Sequence, residues 1–221
     1  MIQYFGHQQV SKQLFFQQLV DSPPPVIAID TETFSLKERI PIGFSIAVSP
    51  LEAWWFNSYP NSDPEIQMLT ALLTNPAIKK IFANTMFDIK VMPLIFQDFQ
   101  VDESNIVDVL VMARILGHTK ASVESLAPEV GMTAQNAGDL LIEYAKQSML
   151  ELPPEVVSSK CANDAKVTLA LYYHFAPQLE KLEGLAPDYL DVESKVVPIL
   201  VDMSQRGLAI DQTARAVMEK K

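Results

Sequence analysis

The sequence predicts a mixed α/β fold, a β-sheet flanked by helices, on three observations. Residues 26–30 read Val-Ile-Ala-Ile-Asp, a continuous apolar run without alternation, which suits a strand buried on both faces of a central sheet. Two more β-rich runs follow, at residues 42–48 and 53–56, separated by Ser49, Pro50, Leu51 and Glu52, and read as a hairpin. Beyond residue 84 the pattern turns helical, so strands precede helices along the chain.

Taken in order, residues 1–25 form a lead-in helix with Val10, Leu14, Phe15 and Val20 apolar. It runs into Pro23, Pro24 and Pro25, a connector because consecutive prolines stop a helix. After the first strand and its hairpin, Ser62, Asp63 and Pro64 supply a cap and a first-turn proline for a helix through Leu69, Leu72 and Leu73. Residues 78–83 return to strand. From Asn84, itself a suitable cap, a helix follows in which Pro93 makes a kink or an early end. Residues 106–116, 122–130 and 137–147 read as three short helices. Pro153 and Pro154 open a long one that ends near Pro177. Another spans residues 187–205, and residues 208–211, Leu-Ala-Ile-Asp, have the composition to start a strand.

Composition removes several function classes. With 221 residues, 48% hydrophobic and 20% charged, the chain has the makings of a packed core and none of the signature of disorder. It carries no apolar run near the length of a membrane span and no signal-peptide pattern at residues 1–20, so a cytosolic protein without a membrane partner is expected. One cysteine, Cys161, and three scattered histidines exclude a disulfide scaffold and a zinc cluster. The net charge of −10 opposes a general coat for nucleic acid. It does not oppose a nucleic-acid enzyme, because carboxylates that hold metal ions are acidic by necessity.

The acids that matter are few. Asp30 and Glu32 stand at i and i+2 at the end of the first strand, so both side chains leave the same face. Carboxyl ends of strands in open α/β sheets are where ligands bind, although an acidic pair is equally an ordinary strand ending. Asp88 lies one helical turn after Asn84, where an acid also complements the helix dipole. Asp164 sits mid-helix among apolar neighbours, where a bland reading pairs it with Lys160 or Thr168.

Together these segments carry more than any one of them. Asp30-Thr31-Glu32-Thr33-Phe34-Ser35-Leu36, the strand Ile42-Gly43-Phe44-Ser45-Ile46-Ala47, Asn84-Thr85-Met86-Phe87-Asp88 and Asp164-Ala165-Lys166-Val167-Thr168-Leu169 resemble the motifs of the 3'-5' exonuclease domain of family A DNA polymerases, the DEDD superfamily. Residues 107–109, 113–116 and 125–127 follow the same pattern, with Asp108 as a helix-start acid rather than a metal ligand. Residues 192–211 resemble the opening of a polymerase region. The resemblance stops there, short of palm, fingers and most of the thumb, and suggests a domain excised from a larger, phage-like polymerase.

That resemblance implies an RNase H-like fold with a central mixed sheet of about five strands. It divides the chain into the lead-in (1–25), the exonuclease domain (26–186) and the start of a polymerase region, a helix and a following strand (187–221). Asp30, Glu32, Asp88 and Asp164 would hold two divalent cations, Mg²⁺ or Mn²⁺, whose charge offsets carboxylates that would otherwise repel. Thr31, Phe34, Leu36 and Asn84 would meet the terminal nucleotide, with Phe87 assigned to the core. The substrate implied is the 3' end of single-stranded or frayed DNA, the product a nucleoside 5'-monophosphate, and the further partner the polymerase region of the parent chain, with the domain a monomer.

One residue departs from the family. Its members carry a tyrosine four residues before the last aspartate, or in a sister subgroup a histidine five before it, to orient or deprotonate the attacking water. Here those positions hold Lys160 and Ser159. A lysine at i−4 shares a helix face with Asp164, so it is expected to pair with Asp164 or compete with a cation, or to act as a base if its pKa were strongly lowered. An exposed lysine in a slightly different helix register is the alternative. Losing the water-orienting group implies an impaired nuclease before a dead one, since general acid–base assistance contributes about 10²–10⁴-fold. The competing readings are a degenerate domain that binds single strands or buttresses a polymerase, and an RNA-trimming exonuclease of the RNase D kind.

Overall fold

The structure, a computed structural model, describes residues 9–35, 39–96, 105–182 and 186–219. Its centre is β1 (Val26–Thr33), the buried apolar run. β2 (Pro41–Ser49) and β3 (Glu52–Asn57) add antiparallel on one side as a hairpin meander, and β4 (Lys79–Phe82) and β5 (Ile106–Asp108) add parallel on the other. The order is β3-β2-β1-β4-β5. β1 thus lies mid-sheet, and its carboxyl end is where an antiparallel neighbour and a parallel neighbour part.

The pleat of β1 assigns its residues to two cores. Ile27 and Ile29 join Phe44, Ile46, Trp54 and Phe56 on one face, under α1 (Gln9–Asp21), α2 (Ile66–Leu73) and α3 (Thr85–Ile95). Phe15 of α1 stacks on Trp54 at 4.1 Å between ring centroids. The other face is built of small residues, Ala28, Ala47 and Ala53 with Ile81. Those alanines let α7 (Pro154–Leu179) lie close on β1 and β2 through Ala162 and Ala165, with α4 (Val109–Ile115) beside it. Gly43, paired with Glu32, is needed for the same economy of space: a Cβ there would collide with the Trp55 ring and the Phe56 carbonyl oxygen.

α5 (Val123–Leu126) continues as a 3-10 turn (Ala127–Val130), and α6 (Ala137–Glu143) and the turn Met149–Glu151 lead to α7. α8 (Ala186–Arg206) packs along α3, burying Val197 and Val201, and α9 (Gln212–Met218) follows. Neither Pro93 nor Pro177 shortens its helix by more than a turn: α3 runs to Ile95 and α7 to Leu179.

Two expectations are corrected. Residues 106–108 are strand and not the first turn of a helix; they pair parallel with Lys80, Ile81 and Phe82, and α4 begins only at Val109. Residues 208–211 form no strand. Leu208 is 93% exposed and Ile210 62%, and no strand pairs with them, so β-rich composition has nothing to bond to. The stretch after residue 187 is therefore helix, irregular link and helix, in place of helix and strand. Among the described residues no helix is long and apolar enough to cross a membrane.

Candidate active site

Period-two alternation puts Asp30 and Glu32 on the face of β1 that α7 covers, while Thr31 points to the opposite face, toward α3. On α7, Lys160, Cys161 and Asp164 fall within one turn and share the side facing β1. Cys161 is fully buried and its Sγ–H donates to the Asp30 carbonyl oxygen at 3.2 Å, which fixes the helix against the strand. From the adjacent position Lys160 spans the gap. Its Nζ donates to Glu32 Oε1 at 2.7 Å and to Asp164 Oδ2 at 2.8 Å, with 12% of the side chain exposed. The expected pairing with Asp164 is present, the bridge to Glu32 joins residues 128 apart in sequence, and the exposed-lysine alternative is not what forms.

Asp88 is held from the other side of β1. Its Oδ1 accepts the Thr31 backbone N–H at 3.1 Å and the Thr31 hydroxyl at 2.7 Å, and the residue is buried at 2% exposure. The start of α3, which carries Asp88, is positioned by Asp108. That carboxylate caps α4 at Leu110 N–H (2.9 Å) and also accepts from Thr85 N–H (2.8 Å) and Asn84 N–H (3.3 Å). Asp108 is thus the structural acid its sequence context implied. Asn84 takes φ +67°, a left-handed geometry that asparagine tolerates, and its side chain makes no cap.

Burial and mutual repulsion shape the ionisation of this cluster. Burial pushes the Asp30 carboxyl well above its ordinary value, Lys160 opposes that, and Asp164, Glu32 and Asp88 reinforce it. Burial likewise raises Asp88 to about 8 against the pull of the two Thr31 hydrogen bonds. It raises Asp164 to about 6, the Lys160 charge and hydrogen bond opposing. For Lys160, burial favours the neutral amine, but Glu32, Asp164 and Asp30 outweigh it and hold the ammonium well above the ordinary lysine range. That upward shift is opposite to the one a general-base lysine needs.

Within this cluster two carboxylate oxygens are buried without a hydrogen-bond donor, Asp30 Oδ2 and Asp164 Oδ1. Asp30, Glu32 and Cys161 also bring one ligand atom each within 4.8 Å of one another. Donorless, desolvated carboxylate oxygens are costly unless a cation faces them, so the residues fit a hard divalent ion. Lys160 and Asp164 open onto a cleft of about 630 Å³ lined also by Thr133, Gln135, Tyr144 and Asn163, within the size range of ligand sites.

The 3'-5' exonuclease family of A-type DNA polymerases matches residues 8–180. The chain belongs to that family. It is 30% identical over 203 residues to DNA polymerase I of Chloroflexus aurantiacus, a match that takes in 85% of this chain and 21% of that protein, so the chain spans about a fifth of its relative's length. In fold it is similar to Brucella melitensis NrnC, with TM-score 0.67 and 17% identity over 88% of this chain and 92% of the other. NrnC with bound Mg²⁺ is equally similar, at TM-score 0.66. RNase D of Trypanosoma brucei matches at TM-score 0.60 and 15% identity, over 86% of this chain and 68% of that one. The fold is therefore RNase H-like, and the exonuclease domain is that of a DNA polymerase I-like protein.

The exonuclease domain distributes the remaining expected residues unevenly. Thr31 is 5% exposed and spends both donors on Asp88, which makes it a positioning residue. Phe34 is half-buried just beyond β1, its N–H bonded to the Ile40 carbonyl at 2.8 Å, and Asn84 is exposed at the head of α3. Phe87 packs against the core, and Leu36 lies outside the described residues. Two residues beside this candidate site are not singled out by the sequence. Cys161 was detectable, standing three residues before Asp164 on the same face. Tyr144, 39% exposed in the cleft at the end of α6, carried no signal.

Proposed function

We propose that this exonuclease domain removes nucleoside 5'-monophosphates from the 3' ends of single-stranded or frayed DNA, as the proofreading module of a longer polymerase chain. In this reading Asp30, Glu32, Asp88 and Asp164 are the metal ligands. Turnover is slow because Lys160 replaces the tyrosine that its relatives place beside the attacking water. The observation that carries it is the approach of Glu32 and Asp164, from β1 and α7, to one Lys160 ammonium with Asp30 beside Glu32, Asp164 lining the cleft and two buried carboxylate oxygens of the cluster lacking a donor.

Divalent ions held there supply an activated water and stabilise charge on the leaving 3'-oxygen. The chain's own contribution is placement. Cys161 locks α7 to β1 so that Asp164 faces Asp30; Thr31 fixes the rotamer of Asp88; the cleft admits a flexible strand end, and Tyr144 offers a face on which a base stacks without regard to its identity. The product carries the phosphate because water attacks phosphorus and the 3'-oxygen of the preceding nucleotide leaves.

The test is a 5'-labelled, 3'-tailed DNA oligonucleotide incubated with Mg²⁺, Mn²⁺ or EDTA, beside Asp164→Ala and an RNA oligonucleotide of the same sequence. A metal-dependent ladder on DNA, abolished in Asp164→Ala, is expected. Preferential trimming of RNA would move the domain to the RNase D kind. Absence of a ladder in any metal would favour the second reading, a degenerate single-strand-binding or structural domain. What favours that reading is the Lys160 ammonium lodged between two of the presumed ligands.

A further inference from the structure

The two ion pairs of Lys160 set apart two pairs of carboxylate oxygens at the site. Glu32 Oε1 and Asp164 Oδ2 face the ammonium, at 2.7 and 2.8 Å, the short range of charge-assisted hydrogen bonds. Asp30 Oδ2 and Asp164 Oδ1 are buried and face no donor. The first pair is hydrogen-bonded to a resident cation; the second accepts no hydrogen bond. We infer that the Lys160 ammonium takes the place of one of the two cations, so that this centre holds a single divalent ion beside a built-in monovalent one. The inference rests on reading Asp30, Glu32, Asp88 and Asp164 as metal ligands.

Three physical points support it. A small hard cation needs several oxygen ligands at short distance, and an oxygen accepting from an ammonium at hydrogen-bond length has its charge and approach direction taken. An ammonium and two divalent ions crowded among the same carboxylates would repel one another strongly, because the site is desolvated and weakly screened. Lys160 is also pinned at its base. Cys161 and Ala162 beside it are buried against the sheet, so the α-carbon cannot retreat, and the ammonium leaves only by swinging its stem into the cleft and abandoning both carboxylates.

The measurement is the number of Mn²⁺ ions bound by the metal-stripped domain. It is followed by titration calorimetry and by electron paramagnetic resonance, which detects the coupling of two Mn²⁺ ions about 4 Å apart. Wild type and Lys160→Arg are expected to bind one ion with an uncoupled spectrum. Lys160→Met, which keeps the stem and removes the charge, is expected to bind two with a coupled spectrum, the second at least about tenfold more tightly than any second event in wild type. Two ions in wild type would overturn the inference by showing that the ammonium moves aside. One ion in both wild type and Lys160→Met would overturn it by showing that the ammonium is not what limits the count. An ion-free wild type beside a Lys160→Met that binds would overturn the single-ion count. No binding in either, with both folded by circular dichroism, would instead overturn the ligand assignment itself and with it the proposed function. Should Lys160→Met fail to fold, Lys160→Gln, which also removes the charge, takes its place in the comparison.

Discussion

The two corners of the site solve the same problem differently. At one, Asp88 is buried and its Oδ1 accepts from neutral donors, the N–H and hydroxyl of Thr31; at the other, Glu32 Oε1 and Asp164 Oδ2 accept from the full positive charge of Lys160. Neutral donors fix the direction of a carboxylate without cancelling its charge, and burial still lifts Asp88 to about 8. The ammonium cancels charge and also fills space. A corner of the first kind orients a carboxylate without supplying a cation. A corner of the second kind already contains one.

The sharpest break of that comparison is Lys160→Tyr, which removes the resident cation and restores the family's water-orienting group. Turnover on single-stranded DNA is expected to rise by about 10²–10⁴-fold, read in a gel-based or mononucleotide-release assay. An unchanged rate would mean that Lys160 does not limit the chemistry. Next in size, Thr31→Val deletes the hydroxyl donor to Asp88 and keeps the shape of the side chain. Loss of such an orienting group typically costs about 10–100-fold in metal affinity or activity, and the Mn²⁺ titration of this variant is expected to show it. Unaltered affinity would remove Asp88, or its orientation, from the metal site.

A third test reads the buried carboxylates through stability. Asp88 and Asp164 have folded pKa values raised to about 8 and about 6 from an ordinary 3.8, so the folded domain binds protons the unfolded chain releases. The stabilisation from holding those protons is complete below the unfolded value and is lost as pH rises through about 6 and then about 8. The metal-free melting temperature is therefore expected to fall between pH 5 and 8, and saturating Mn²⁺ to flatten the decline. A flat metal-free profile would mean the cluster is less strained than its burial implies. The smallest effect is expected of Asp108→Ala, which strips the cap of α4 and the acceptor for the first amides of α3. A loss of about 0.5–2 kcal/mol in denaturant unfolding is expected, with weaker nuclease activity, since α3 carries Asp88.

Much of this was legible before any fold was seen. The unalternating run at residues 26–30 marks the central strand, and i, i+2 spacing puts Asp30 and Glu32 on one face wherever the strand goes. Spacing of four on α7 puts Lys160 and Asp164 together. Residues 106–108 were misread because a three-residue strand joined directly to a helix has too few side chains to show a period of two. Its identity comes from the parallel partner β4. Residues 208–211 were misread for the converse reason, a strand-like composition with no neighbour to pair with.

By itself the sequence determined most of the elements, the shared faces and the absence of the family's tyrosine, because each of these depends on residues within a turn or two of one another. Only the tertiary structure decided that Lys160 reaches Glu32 as well as Asp164, that Thr31 turns away to hold Asp88, and that Asp108 serves two helices at once. Those pairings join residues far apart in the chain. The first exists because small side chains on β1, β2 and α7 let that helix settle close over the strand end, where burial makes a carboxylate take whichever donor lies within reach.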